Sequence, residues 1–370
     1  MAMDRRNFLG VAVAGLAATT AQGADLLAQA SSYTLVDDSL GKILKTPDGR
    51  VVFEYMTKKP SHTRMNANSV CCFYPLNTPS GQNVVIFGIG HAHYRGLFFA
   101  WHTIDSHERA TPPLPPPGFR RRMRARGLRG RGFPRMPTGP NASEIIARMK
   151  APDKGNLLRG DYWGWGRYAP LLGRVIENRS IHLARADGNS AQIEVENEWV
   201  NFNRGILREQ TTIAVHEVPS TFVTDLTYRF TPVNNMEMTL NEWSFGGLCL
   251  AGRSDAASGY YLGPKGLVNL PDPSMVDGNT DYPPAAWYSR ISKLSNGKTV
   301  GGAVLNHPSN PPTRWWNPPT TACINPSIVT YKPVTVPIGK TLTLRYRILA
   351  YDGDLSVSTI DKLSADWQQS

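Results

Sequence analysis

Apolar and polar positions alternate along most of the chain. Arg50–Tyr55 (RVVFEY), Asn83–Gly88 (NVVIFG), Ile193–Phe202 and Ile206–His216 carry the two-residue period of a half-buried strand, as do Ser220–Phe230, Met236–Trp243, Thr299–Leu305 and Lys340–Tyr351. Turn signals separate these runs: Thr46-Pro47-Asp48-Gly49, Asp187-Gly188-Asn189, Asn296-Gly297 and Asp352-Gly353. A 3.6-residue period shows only in Ala142–Lys150 and Thr359–Gln368. With 29 prolines and 33 glycines, the chain suits many turns better than long helices. The pattern predicts an all-β fold with few short helices.

So many strands exceed one immunoglobulin-like sandwich, which takes about 100 residues. Either one large antiparallel β-sandwich, similar to the supersandwich of sugar mutarotases, or two tandem sandwiches would hold them. No Pro/Ser-rich linker lies near the middle of the chain, which favours a single domain built from residues 31–110 and 141–370.

Two segments stand outside that domain. Residues 1–30 read as an export address: Arg5-Arg6-Asn7-Phe8-Leu9-Gly10 has the form of a twin-arginine signal, though Asp4 stands where Ser or Thr is usual. The apolar stretch Val11–Ala18 follows, and Ala28-Gln29-Ala30 is the favoured cleavage site, placing the mature protein in the periplasm or outside the cell. The second segment is residues 111–140. The net charge of +11 resembles a nucleic-acid signal until it is mapped: eight arginines crowd between Phe119 and Met136, leaving +3 for the rest. Rich in Pro, Gly and Arg, this stretch reads as a disordered basic insertion, either a solvated tether or a contact for an anionic polymer. Nucleic acid is not an expected partner of an exported chain. At 41% hydrophobic and 19% charged residues, the remainder suits a packed core, and no apolar run reaches the ~18 residues of a membrane span.

The four cysteines, Cys71, Cys72, Cys249 and Cys323, match no zinc or thioredoxin spacing. An oxidising compartment permits one or two disulfides; buried free thiols fit equally.

The densest polar cluster runs from Gly88 to Trp101. In an extended segment His91, His93 and Arg95 share one face, so they are expected to open into one hollow. Two jobs suit them. They could bind a divalent metal through His91 and His93, with His307 as the best distant third ligand. Alternatively they hold a hydroxylated or anionic ligand, one histidine exchanging protons and Arg95 clamping an oxygen. Tyr94, Trp163, Arg253 and His307 are candidate substrate-binding residues. Trp163 and Trp165 would offer sugar rings a stacking surface, with Trp315-Trp316-Asn317 as a further wall. Glu209, Glu242, Asp161 and Asp255 are carboxylates able to act as acid or base, the first two within strand patterns where inward burial would raise the pKa. The other histidines, 62, 102, 107, 182 and 216, are structural or surface residues by default. Walker, dinucleotide-binding, Gly-x-Ser-x-Gly and His-Glu-x-x-His motifs are absent from the sequence.

Gly90-His91-Ala92-His93-Tyr94-Arg95-Gly96-Leu97 resembles the Asp-His-Pro-His-His-Arg-Gly-Leu segment of an exported bacterial family known as "methane oxygenase PmoA-like", or as a domain of unknown function. Asp161-Tyr162-Trp163-Gly164, Gly173-Arg174-Val175, Gly246-Gly247-Leu248 with Arg253, Asn306-His307-Pro308-Ser309-Asn310 and Arg345–Gly353 are similar to its later motifs, in order. Gly90 stands in place of that family's Asp and Tyr94 in place of its third His. Methane oxidation at a membrane is not carried over, because the chain has no membrane helices after its signal. The resemblance implies a β-sandwich, often encoded beside sugar-type oxidoreductases, and a role in carbohydrate breakdown. The leading expectation is an exported carbohydrate-active protein using acid–base or metal-assisted chemistry on a sugar or oxidised sugar. A non-catalytic glycan-binding module and a copper- or zinc-dependent oxidoreductase are the alternatives.

Overall fold

The computed structural model describes residues 32–61, 63, 65, 70–89, 91–108, 157–164, 174–201, 204–270, 282–330 and 332–369. The signal segment, the basic insertion and the helix expected at Ala142–Lys150 lie outside the described residues.

The described chain is an antiparallel β-sandwich. One sheet has nine strands in the order Gly266–Val268, Ser258–Gly263, Trp287–Lys293, Thr299–Asn306, Leu342–Asp352, Thr221–Pro232, Arg204–Val218, Ser190–Asn201 and Arg174–Ala186. The facing sheet has eight: Thr34–Asp37, Gly41–Lys45, Val51–Met56, Cys72–Leu76, Leu97–Ala100, Gly247–Ala251, Cys323–Ser327 and Arg314–Trp316. A four-stranded sheet, ordered Val334–Val336, Met236–Leu240, Ile104–Glu108 and Leu157–Gly160, completes the described strands.

Side-chain alternation explains the layering. Along Leu342–Asp352, Leu344, Tyr346, Ile348 and Ala350 enter the core between the sheets, while Leu349 and Tyr351 point to the opposite face. There they meet Ile360 and Trp367 of the single described α-helix, Val357–Gln368. Ser356 starts that helix by accepting a bond from the Thr359 amide at 3.1 Å. Between the sheets, Phe99 packs on Tyr228 and Phe230 at ring separations of 4.6 and 4.8 Å, and Trp101 on Phe230 at 4.7 Å. Each such pair adds about 0.5–1.5 kcal/mol beyond area burial.

One expected strand is not formed. Asn83–Gly88 pairs only through isolated bridges at Asn83, Val85 and Phe87. The Asn83 side chain bonds the backbone of Leu76 and of Val85 on both its N–H and its C=O, a local alternative to a ladder. All four cysteines are buried and free.

Candidate functional site

The histidine segment is a tight turn instead of the extended strand the alternation suggested. The Tyr94 amide donates to the His91 carbonyl at 3.0 Å, and the Gly88 amide to the Tyr94 carbonyl at 2.7 Å. Gly88 permits this with φ +64°. The turn still brings the two imidazoles together, with ring centroids 5.5 Å apart. Both touch the Tyr94 ring, at 5.1 Å for His91 and 4.7 Å for His93.

Their environments differ. His91 is partly buried, and burial lowers its pKa from the ordinary 6.5. His93 is only 6% exposed, and its pKa is pushed well below 6.5, chiefly by burial and then by the neighbouring His91, Arg95 and His102. A neutral His93 beside a more accessible His91 can pass a proton between an enclosed acceptor and solvent.

Arg95 does not join them. The bridge between Phe87 and Arg95 ends the turn, and the guanidinium runs into the core, fully buried. It donates to the carbonyls of His93 at 3.1 Å, Trp163 at 3.0 Å and Tyr162 at 3.0 Å, and lies 4.2 Å over the Phe98 ring. Burial lowers its pKa to about 10, so it stays a cation. The expected oxygen clamp is therefore a clamp on backbone. Gly96 follows because no side chain fits: its φ is +70° and a Cβ would lie 2.1 Å from the Phe73 carbonyl oxygen.

The other end of the clamped segment is held by Asp161. Its carboxylate accepts from the amides of Trp163 at 2.8 Å and Gly164 at 3.1 Å, and pairs with Nδ1 of His102 at 2.6 Å. Asp161 and His102 are 1% and 3% exposed, and burial raises the Asp161 pKa. His102 lies against the Trp243 ring at 4.2 Å. The sequence pattern does not show this buried pair: it predicts His102 as a structural or surface residue and Asp161 as a carboxylate able to act as acid or base. The one available signal was that Asp161 begins the Asp-Tyr-Trp-Gly motif.

Trp163 is not an open platform. It is fully buried, at 4.9 Å from both Phe98 and Phe245 and 6.5 Å from His93. Trp315 and Trp316 are likewise core residues, and Trp165 lies outside the described residues. Tyr94 is buried, its hydroxyl within reach of the Cys323 thiol. Arg253 is engaged by Asp255, at 2.6 and 2.9 Å, and by the Asn83 carbonyl at 3.0 Å.

His307 belongs to the other face of the nine-stranded sheet. Its ring meets Trp367 of the helix at 4.9 Å and bonds Ser309 and Arg345 at 2.7 and 3.1 Å. The sheet thus stands between it and the core that holds His93, which removes His307 as a third ligand beside His91 and His93. Among the described residues no group of three His, Cys, Asp or Glu side chains could hold a metal ion.

Glu209 is inward and 3% exposed. It accepts from Asn197, Trp199 and Thr211 at 2.9, 2.7 and 3.1 Å, while burial raises its pKa. All its neighbours are parts of the sandwich interior, which gives it a packing role. Glu242 is partly buried.

Comparison with known proteins now adds a family. Residues 154–365 match a family of unknown function (DUF6807), and the chain belongs to it. No curated protein matches the sequence. Solved structures show only remote likeness. The GH36 α-galactosidase AgaB from Geobacillus stearothermophilus shares 10% identity, over 55% of this chain and 31% of that one, with a TM-score of 0.31. A candidate aldose 1-epimerase from Escherichia coli K12 shares 11% over 87% and 99% of the two chains, with a TM-score of 0.29. A galactose mutarotase related enzyme from Lactobacillus acidophilus shares 9% over 54% and 77%, with a TM-score of 0.26. The matched part spans about a third of the α-galactosidases. Likeness this remote carries no argument about activity.

Proposed function

We propose that this is an exported carbohydrate-active protein in which His91 and His93 move protons on a small sugar or oxidised sugar. The observation that carries the reading is the pair of imidazoles 5.5 Å apart in one turn, with the inner ring held neutral. A neutral imidazole accepts a proton from a carbon acid or hydroxyl, and its half-exposed neighbour returns it from water. Burial above all, and then the neighbouring His91 and Arg95, disfavours a second proton on His93 and so keeps an acceptor available near neutral pH.

A glycan-binding module without turnover is the second reading. In it the two imidazoles only hydrogen-bond the ligand, as the nearly enclosed neutral His93 ring can do through one donor and one acceptor nitrogen. Incubating the full-length mature protein with aldoses, 3-keto sugars and oligosaccharides, with and without chelator, separates the two. Turnover that persists in chelator supports proton transfer by the histidines. Saturable binding without turnover supports the module.

A further inference from the structure

A hollow that neither His91 nor His93 lines opens on the eight-stranded sheet. It has a volume of about 440 Å³, the size range of small-molecule sites, and opens beside the strand Val51–Met56. Phe53 and Tyr55 both turn inward onto Phe73, at 4.9 and 5.2 Å, so Glu54 between them faces the other way. Its carboxylate enters the hollow together with Met56, Pro60, Thr63, Tyr74 and Phe87.

Three features of this lining converge. First, Glu54 Oε1 is buried and has no hydrogen-bond partner among the described residues. A buried acceptor without a donor has lost its water and gained no partner, so the site favours an incoming donor. Second, Glu54 is the one charged residue among the described residues of the lining. Burial raises its pKa, and the one charge among the described residues that adds to this is another carboxylate, Asp38. Lys58 and Lys59, which precede the lining residue Pro60, are exposed, and Arg253 beside Tyr74 is already engaged in two bonds to Asp255. Third, the rings of Tyr74 and Phe87, 5.0 Å apart and inclined by 35°, form an aromatic wall. Aromatic faces attract cations as well as C–H groups.

We propose that this hollow is a binding site for a small organic cation carrying a protonated amine. The ammonium donates to Glu54 Oε1, and the ligand's carbon skeleton lies on Tyr74 and Phe87. The combination of an unpartnered carboxylate, no cation among the described lining residues and an aromatic wall separates this chemistry from an anionic ligand, which Glu54 would repel. It also separates it from a neutral polyol, which would gain a hydrogen bond but no charge attraction. The inference does not rest on the histidine reading.

Isothermal titration of the full-length mature protein with D-glucosamine and D-glucose, at about pH 6.5 where the amine is charged, tests it. The two probes share a ring and differ in one charge. Glucosamine is expected to bind at least about tenfold tighter than glucose, and Glu54→Gln, which keeps shape and loses charge, to abolish the difference. Phe87→Ala is expected to weaken glucosamine binding several-fold. Equal binding of the two probes, no detectable glucosamine binding, or a preference unchanged in Glu54→Gln would each overturn the proposal.

Discussion

Nη1 of Arg95 donates to the backbone carbonyl of Trp163 at 3.0 Å, and this bond joins two motifs 68 residues apart in sequence. Nη2 adds the carbonyl of Tyr162, while Asp161 secures the amides of Trp163 and Gly164. The Asp-Tyr-Trp-Gly turn is thereby held at its carbonyls by one ion and at its amides by another. The histidine turn inherits its position from that anchorage.

Arg95→Met should therefore act on stability first. It leaves the carbonyls of His93, Trp163 and Tyr162 without their donor, at about 1–3 kcal/mol for each buried group left unpaired. Chemical denaturation should show a loss of at least about 3 kcal/mol. Arg95→Lys should recover only part of it, since a single ammonium cannot reproduce the fork. A variant of native stability with only its sugar affinity changed would return Arg95 to the ligand.

Gly96 and Gly49 make a matched pair. Both have positive φ, +70° and +86°, but an added Cβ meets the Phe73 carbonyl oxygen at 2.1 Å in one case and nothing within 4 Å in the other. Gly49→Ala should cost about 1–2 kcal/mol, the strain of the left-handed backbone. Gly96→Ala should cost more than that by several kcal/mol and fail to give soluble protein, as read by expression and thermal melting. Equal melting temperatures would contradict the close approach.

His93 should titrate far below an ordinary histidine. The unfolded chain takes up its proton near 6.5, while the folded ring resists it. Lowering pH through 6.5 therefore binds protons preferentially to the unfolded state, and stability falls toward acid until the depressed folded pKa is reached. His91, His216 and His307 shift the same way, whereas the raised pKa values of Asp161 and Glu209 act in the opposite sense. The comparison of wild type with His93→Phe isolates the residue: the variant should lose less stability between pH 7 and 5. The NMR titration of the His93 ring should show no protonation step near 6.5.

Glu209→Ala removes the acceptor shared by Asn197, Trp199 and Thr211 inside the sandwich. Unfolding in urea should reveal a loss of about 3 kcal/mol or more, with no effect specific to a sugar. An unchanged midpoint would mean that the three donors find other partners.

Much of the fold could be read from the alternation of side chains, because each long strand buries one face between sheets and its period survives in sequence. Lys340–Tyr351 shows this well: Leu344, Tyr346, Ile348 and Ala350 are core, while Leu349 and Tyr351 meet the helix. Asn83–Gly88 shows the limit, since a single Asn side chain takes over the backbone bonds a strand would need. The site was legible only in part. Proximity of His91 and His93 was expected from extended geometry, and a turn achieves it instead. The inward path of Arg95 and the pairing of His102 with Asp161 depend on contacts across the chain that no local period encodes. His307 was joined to the wrong group because spacing says nothing about which side of a sheet a loop occupies.

The central claim is that the two imidazoles of the turn move protons on a sugar. Its most direct test is the turnover rate of wild type against His91→Ala/His93→Ala across aldoses and 3-keto sugars, with both proteins matched for melting temperature. General acid–base catalysis contributes about 10²–10⁴-fold, so the double variant should lose at least about 100-fold in rate on whichever sugar the wild type converts. Equal rates for the two proteins, or no conversion of any sugar by the wild type, would contradict the account.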